Sequence, residues 1–135
     1  MEDLITANLK IATDLDIPIS VFNIMGFPTE TRRLVIDTIE LNRTFRSDDI
    51  NAYCFVPFQG NPLRLLSEKL GLVTKVTRAQ AIMPPTILDI PQLLRNAIEG
   101  NRRCFVLYVK LPTSGCPKIE RAEASLWSKT PYLHS

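Results

Sequence analysis

What this sequence lacks narrows it first. It has one histidine, His134, beside the C-terminus, and three cysteines, Cys54, Cys104 and Cys116, that lie far apart. No pair of them has the close spacing of zinc, thioredoxin-like or iron–sulfur motifs, so reduced, partly buried thiols are expected. No apolar run approaches the roughly 20 residues that span a bilayer, and Met-Glu-Asp does not open a signal peptide. The expected compartment is therefore the cytoplasm, with no membrane partner. Charge of either sign is not in excess: 16 Lys and Arg against 14 Asp and Glu leave a net charge of +2. That balance gives no electrostatic case for nucleic acid. Neither Gly-x-Gly-x-x-Gly nor a Gly-Lys-Ser/Thr triplet occurs, which excludes the common dinucleotide and P-loop cradles.

What is present is the make-up of an ordinary globular domain, 135 residues with 45% hydrophobic and 22% charged. Leu4, Ile5, Leu9, Ala12 and Leu15 recur at helical spacing over residues 2–16, and Pro18 blocks continuation. Residues 19–25 then carry Val21, Phe22, Ile24 and Met25 with little alternation, the pattern of a strand covered on both faces in a parallel sheet. The run breaks at Gly26-Phe27-Pro28. Thr29 or Thr31 can cap the helix that follows to about Phe45, with Leu34, Val35, Thr38, Ile39, Leu41 and Phe45 on its buried stripe and Glu30 in its first turn. A second strand spans residues 50–56. Strand, helix and strand make a βαβ unit with an expected right-handed crossover.

Pro57-Phe58-Gln59-Gly60-Asn61-Pro62 is a second turn at the carboxyl end of a strand, and a helix over Leu63–Leu70 stops at Gly71 in the C′ position. Both Gly/Pro loops must then lie side by side on one rim, where α/β proteins put ligands. Two strands cannot cover both faces of a buried sheet, so this is expected to be part of a larger sheet or barrel, completed by further sequence or another chain. The open edge should promote self-association. Beyond Gly71 the character changes. Residues 79–91 read as a Pro-rich linker, and Pro91 can start a helix through about Ile98 that Glu99-Gly100 ends. Residues 104–111 fit a strand or an apolar helix equally well. Pro112 to Pro117 is a turn, residues 118–127 have weak helical patterning, and the last eight residues look frayed.

Few residues carry chemistry by type and spacing. Gly26 fits a plain strand-to-helix turn or a backbone wall for a nucleoside or phosphate. Glu30 has no histidine or second carboxylate in either loop to form an acid–base dyad and reads as a loop brace. Ser114-Gly115-Cys116 looks like a nucleophile turn only superficially, since no base is near it in sequence. Arg32-Arg33 and Arg102-Arg103 read as solvated faces.

Taken together, Asn23-Ile-Met-Gly-Phe-Pro-Thr-Glu-Thr31, the helix after it, Phe55-Val-Pro-Phe-Gln-Gly-Asn-Pro-Leu63 and Gly71-Leu-Val resemble the later half of a radical SAM barrel. In that family a Gly-Phe/Leu-Pro-Gly-Glu-Thr turn follows the fifth strand and a Pro-x-x-Gly-Thr-Pro-Leu turn the sixth. Arg103-Cys-Phe-Val-Leu-Tyr-Val-Lys-Leu-Pro112 and Pro117-Lys-Ile-Glu-Arg-Ala-Glu123 look like the C-terminal extension of its cobalamin-domain-containing branch.

The resemblance implies an α/β fold: residues 1–73 as the last βα units of a (β/α) partial TIM barrel, and residues 74–135 as a mostly helical extension. It implies S-adenosylmethionine, a four-iron four-sulfur cluster and, in this branch, cobalamin as the whole enzyme's cofactors. Asn23, Ile24, Met25 and Gly26 would form the adenosyl-side wall with Glu30 bracing the turn, and Gln59, Gly60 and Asn61 the rim near a small-molecule substrate. Thr29 stands where the family has Gly, and Asn61 where it has Thr. The Cys-x-x-x-Cys-x-x-Cys cluster loop does not occur in these 135 residues, so no metal ligand and no turnover are expected of them alone. The alternatives are a non-catalytic binding module, a subunit that completes a partner's barrel, or an unrelated small α/β enzyme using the Gly26 rim for a nucleotide.

Overall fold

The computed structural model describes residues 2–73 and 88–127. In chain order they form α1 (Glu2–Asp14), β1 (Ser20–Met25), α2 (Arg32–Arg43), β2 (Asp49–Cys54), α3 (Pro62–Lys69), α4 (Arg95–Lys110), a 3-10 turn (Thr113–Gly115) and α5 (Cys116–Trp127). β1 and β2 pair in parallel from Ser20 beside Asp49 to Met25 beside Cys54, with α2 as the crossover. The fold is mixed α/β. Among the described residues no helix is long and apolar enough to cross a membrane.

The strands alternate. Asn23 and Met25 are buried beneath the helices, while Phe22 and Ile24 are 66% and 48% exposed. The expectation of a strand covered on both faces is therefore met on one face only: α4 packs on β2 and on α2, and no described element lies over the other side. The core sits on the covered side and joins Met25, Val35 and Ile39 to Leu88, Ile90, Ile98, Phe105 and Tyr108. α1 differs from its sequence pattern in the same way. Leu9 and Ala12 are half-buried, but Leu4, Ile5 and Leu15 are exposed.

Thr31 is the cap of α2, its hydroxyl accepting from the Leu34 N–H at 3.4 Å. Glu30 thus stands before the helix rather than in its first turn. Gly71 takes a positive φ of 71° just past α3, as a C′ residue does.

The C-terminal half corrects two boundaries. Pro91 does not start a helix: residues 88–94 run as a non-helical segment that buries Leu88, Ile90 and Leu93. α4 begins at Arg95 and passes through Glu99-Gly100 without a break. Its buried residues Ile98, Asn101, Cys104, Phe105 and Tyr108 recur at three and four, so the ambiguous stretch at 104–111 is helical through Lys110. Arg43 satisfies carbonyls at the end of α4, its Nη1 donating to Tyr108 O at 2.6 Å and to Leu111 O at 2.9 Å. α5 starts at Cys116, earlier than its pattern suggests. Residues 79–87 of the Pro-rich linker and the last eight residues, 128–135, lie outside the described residues.

Candidate functional site

The two Gly/Pro loops do meet. Phe55 N–H donates to Met25 O at 2.7 Å, extending the ladder one step past the strands, and the Phe27 and Phe55 rings pack with centroids 5.3 Å apart. Gly26 turns the chain with φ +83° and Gly60 with φ +81°, a region that costs other residues a Cβ clash.

Glu30 is the charged group of the first loop. It is 6% exposed, and its Oε2 accepts the Gly26 N–H, so the side chain closes the turn on itself. The Glu30 N–H donates to Phe27 O at 3.0 Å, a second closure of the same loop. Burial raises the Glu30 carboxyl above its ordinary range, opposed by the backbone N–H groups of Gly26 and Phe27. The linkage sign follows. The unfolded chain gives up this proton near the ordinary value of 4.5 and the folded chain only at higher pH. Protonation therefore stabilises the fold, fully below the unfolded value, and that stabilisation is lost as pH rises through the folded value. Glu30→Gln keeps an oxygen for Gly26 and removes the titration. The stability of the parent minus that of Glu30→Gln, measured by urea unfolding, is expected to rise as pH falls from neutral toward 4.5. A difference that stays flat or falls would show that Glu30 is not buried as described.

In the second loop Gln59 and Gly60 are exposed. Asn61 is the N-cap of α3, its Oδ1 accepting from the Leu63 N–H at 2.9 Å. Asparagine caps a helix at least as well as threonine, so residue 61 suits this turn. Arg64, 1% exposed, holds the loop from beneath: its Nη1 donates to Pro57 O at 3.0 Å and its Nε to Glu68 at 2.7 Å.

The residues expected to form an adenosyl-side wall divide between two faces. The Asn23 and Asn42 amides exchange hydrogen bonds of 3.1 and 2.8 Å, and Asn23 Nδ2 also reaches Asn51 O at 3.3 Å. That side chain is committed to α2, and Met25 is 1% exposed in the core. Both can offer a ligand their backbone only. Ile24 and the Gly26 backbone belong to the rim itself. On the open face lies a cleft of about 470 Å³ between Phe22, Ile24, Tyr53, Val56, Phe58 and Asn61, with no charged side chain among the described residues of its wall. The Phe22 and Tyr53 rings on its wall stack on one another, 6.1 Å apart and 19° from parallel.

Beneath the rim, a buried polar cluster ties the C-terminal helices to the start of α2. Arg32 Nη1 donates to Glu123 Oε1 and Asn101 Oδ1, each at 3.3 Å, and Glu123 Oε2 accepts the Tyr108 hydroxyl at 2.6 Å. Asn101 Nδ2 is buried without a hydrogen-bond partner. Arg32, its side chain 42% exposed, is thus only partly the solvated residue its sequence suggests, while its neighbour Arg33 is 84% exposed. Arg102 pairs with Glu99 at 2.9 Å and is 30% exposed. One signal pointed to Glu123: it stands four residues after Ile119, on the buried stripe of α5. The cluster does not open onto the cleft.

None of the three cysteines is in a disulfide. Burial, then the nearby Glu123 charge, push the Cys104 thiol up, away from nucleophilic character. Cys54 Sγ donates to Glu99 Oε1 at 3.4 Å. Among the described residues no group of three or more His, Cys, Asp or Glu gathers as metal ligands do. No family model, no curated protein and no solved structure matches the chain.

Proposed function

We propose that this chain is the later half of a radical SAM barrel with its C-terminal extension. Its role is to supply the adenosyl-side wall of an S-adenosylmethionine site, and it is not active alone. The observation that carries the reading is the paired rim: two adjacent parallel strands, each followed by a loop with a positive-φ glycine, with Glu30 folded onto the Gly26 N–H and one sheet face left open. An open inner face with helices on the outer face is what a severed barrel presents.

The four-iron four-sulfur cluster does not fit this chain, because a three-cysteine loop is absent and the cysteine at the rim, Cys54, donates to Glu99. Cobalamin finds no docking feature among the described residues, and its place is in the preceding part of the enzyme. S-adenosylmethionine fits better. The cofactor supplies the radical in the complete enzyme, for methyl transfer or cyclisation of a small-molecule substrate. Here Ile24 and the backbone of residues 23–26 would flank its adenine, Glu30 would fix the turn, and Gln59, Gly60 and Asn61 would border the substrate. The partner is the N-terminal half of the barrel, in the same polypeptide or in another subunit.

A second reading is favoured by the core. Fifteen buried apolar residues join both halves of the chain on the helix side without help from a partner. On that reading the chain is a stand-alone binding module or a barrel-completing subunit. Calorimetry with S-adenosylmethionine, paired with size-exclusion chromatography of the same sample, separates the two. Folded monomer with micromolar binding supports the module. Aggregation without binding, reversed by adding a barrel half that carries the cysteine loop, supports the half-barrel. A folded monomer that binds no S-adenosylmethionine even with that half present would overturn both.

A further inference from the structure

We propose that the cleft on the open face of the sheet binds an uncharged, planar apolar group, an aromatic or conjugated ring system, laid against the Phe22–Tyr53 stack. Among the described residues no Lys, Arg, His, Asp or Glu lines the cleft. The nearest acid on this face of the strands is Asp49, at their opposite, amino end, where it accepts from Asn51 Nδ2 at 2.8 Å. A phosphate or carboxylate here would lose water, meet no counter-charge and lie against the electron-rich faces of rings. An ammonium would be drawn to a ring face but would have no carboxylate to pair with.

Shape gives the second argument. The two rings lie 19° from parallel, and Phe22 is 66% exposed, so a flat apolar surface faces the opening. Ile24, Val56 and Phe58 complete the wall, and the volume of about 470 Å³ falls within the range of small-molecule sites, about 300–1,000 Å³. Polar side-chain groups on the wall are few: the Tyr53 hydroxyl, Asn61, whose Oδ1 already caps α3, and Cys54, whose thiol already donates to Glu99. They can orient a ligand through one hydrogen bond and cannot select a highly polar one.

The binding is a property of this chain alone. On the barrel reading the open face is the inner wall and the bound group is part of the substrate; that identification rests on the reading, and the binding does not.

The test uses the full 135-residue chain. N-phenyl-1-naphthylamine, a neutral planar dye, is titrated by fluorescence beside 1-anilinonaphthalene-8-sulfonate, the same ring system with a sulfonate added. The neutral dye is expected to saturate one site and to bind at least about tenfold more tightly than the sulfonate. Phe22→Ser and Phe58→Ser should each weaken it by about tenfold. Leu15→Ser, at another exposed apolar residue just past α1, should leave it unchanged. Both cleft positions are exposed, so the variants should fold, and circular dichroism checks that they do. Equal binding of both dyes, or neutral-dye binding untouched by both cleft variants, would overturn the proposal. So would a concentration-dependent dimer that excludes the dye and is lost in Phe22→Ser, since the face would then be an interface between copies. S-adenosylmethionine is absent from this titration, so failure of the barrel reading in calorimetry leaves its result intact.

Discussion

Phe105→Ala is expected to lower the unfolding free energy by about 3–5 kcal/mol, the range for emptying a fully buried aromatic site. That is a large part of the roughly 5–15 kcal/mol that stabilises a domain. Phe105 is 0% exposed, in the middle of α4, where the helix is held between β2, α2 and α5. The cavity cannot collapse cheaply, because its walls belong to separate elements and α4 is fixed at its far end. There Arg43 holds the Tyr108 and Leu111 carbonyls, and Lys110 donates to Ser47 O at 3.0 Å. Urea unfolding should show a lower midpoint with an unchanged slope. Phe105→Leu should recover more than half of the loss, since most of the volume returns. A loss below about 1 kcal/mol for the alanine variant would mean that α4 does not pack into the core at this point.

That prediction concerns the helix that is hardest to read from the sequence. The run from Cys104 to Leu111 is rich in β-branched and aromatic residues, which suits a strand, and Glu99-Gly100 just upstream has the look of a helix end. Both are local signals, and tertiary packing overrides both. Gly100 is buried inside α4, and the helical stripe emerges only when Ile98 and Asn101 are counted with Phe105 and Tyr108. By contrast, the βαβ unit and its two rim turns were legible, because each rests on a short-range cause. Thr31 and Asn61 cap helices, and Gly26, Gly60 and Gly71 take positive φ.

The division of the site residues between two faces was only half legible. Period-two alternation puts Asn23 and Met25 opposite Phe22 and Ile24, yet an unbroken apolar run hides which face the helices cover. The exposed apolar residues on β1 explain why the run looked fully buried. The chain carries a second apolar face without the described residues to cover it. The Arg32–Glu123 contact was not legible at all, since it joins residues 91 positions apart.

That contact yields the other large expected effect. Glu123→Ala is expected to cost about 2–3 kcal/mol, because it strands a buried donor and breaks an ion pair together. The Tyr108 hydroxyl, on a residue 2% exposed, loses the acceptor it holds at 2.6 Å. Arg32 loses its buried partner, but at 42% exposure it can turn to water, which keeps the cost below that of a fully buried pair. Glu123→Gln retains an acceptor for Tyr108 and should cost about 1 kcal/mol. In a double-mutant cycle, Arg32→Met should show coupling to Glu123→Ala of about 1 kcal/mol and none to Phe22→Ser on the far face of the sheet.

Alkaline unfolding gives an independent check of the same contact. Burial, then the hydrogen bond to Glu123 and its charge, hold the Tyr108 phenol well above its ordinary value of 10.0. The unfolded chain therefore releases this proton first, and Tyr108 contributes stability that is fully present below pH 10 and declines as pH rises further. In Glu123→Ala the burial remains while the hydrogen bond and the neighbouring charge are gone, so the decline above pH 10 should be shallower than in the parent. An unchanged alkaline slope would mean that the Tyr108 hydroxyl does not rest on Glu123, and that α5 is held to α4 by Ile119 and its apolar neighbours alone.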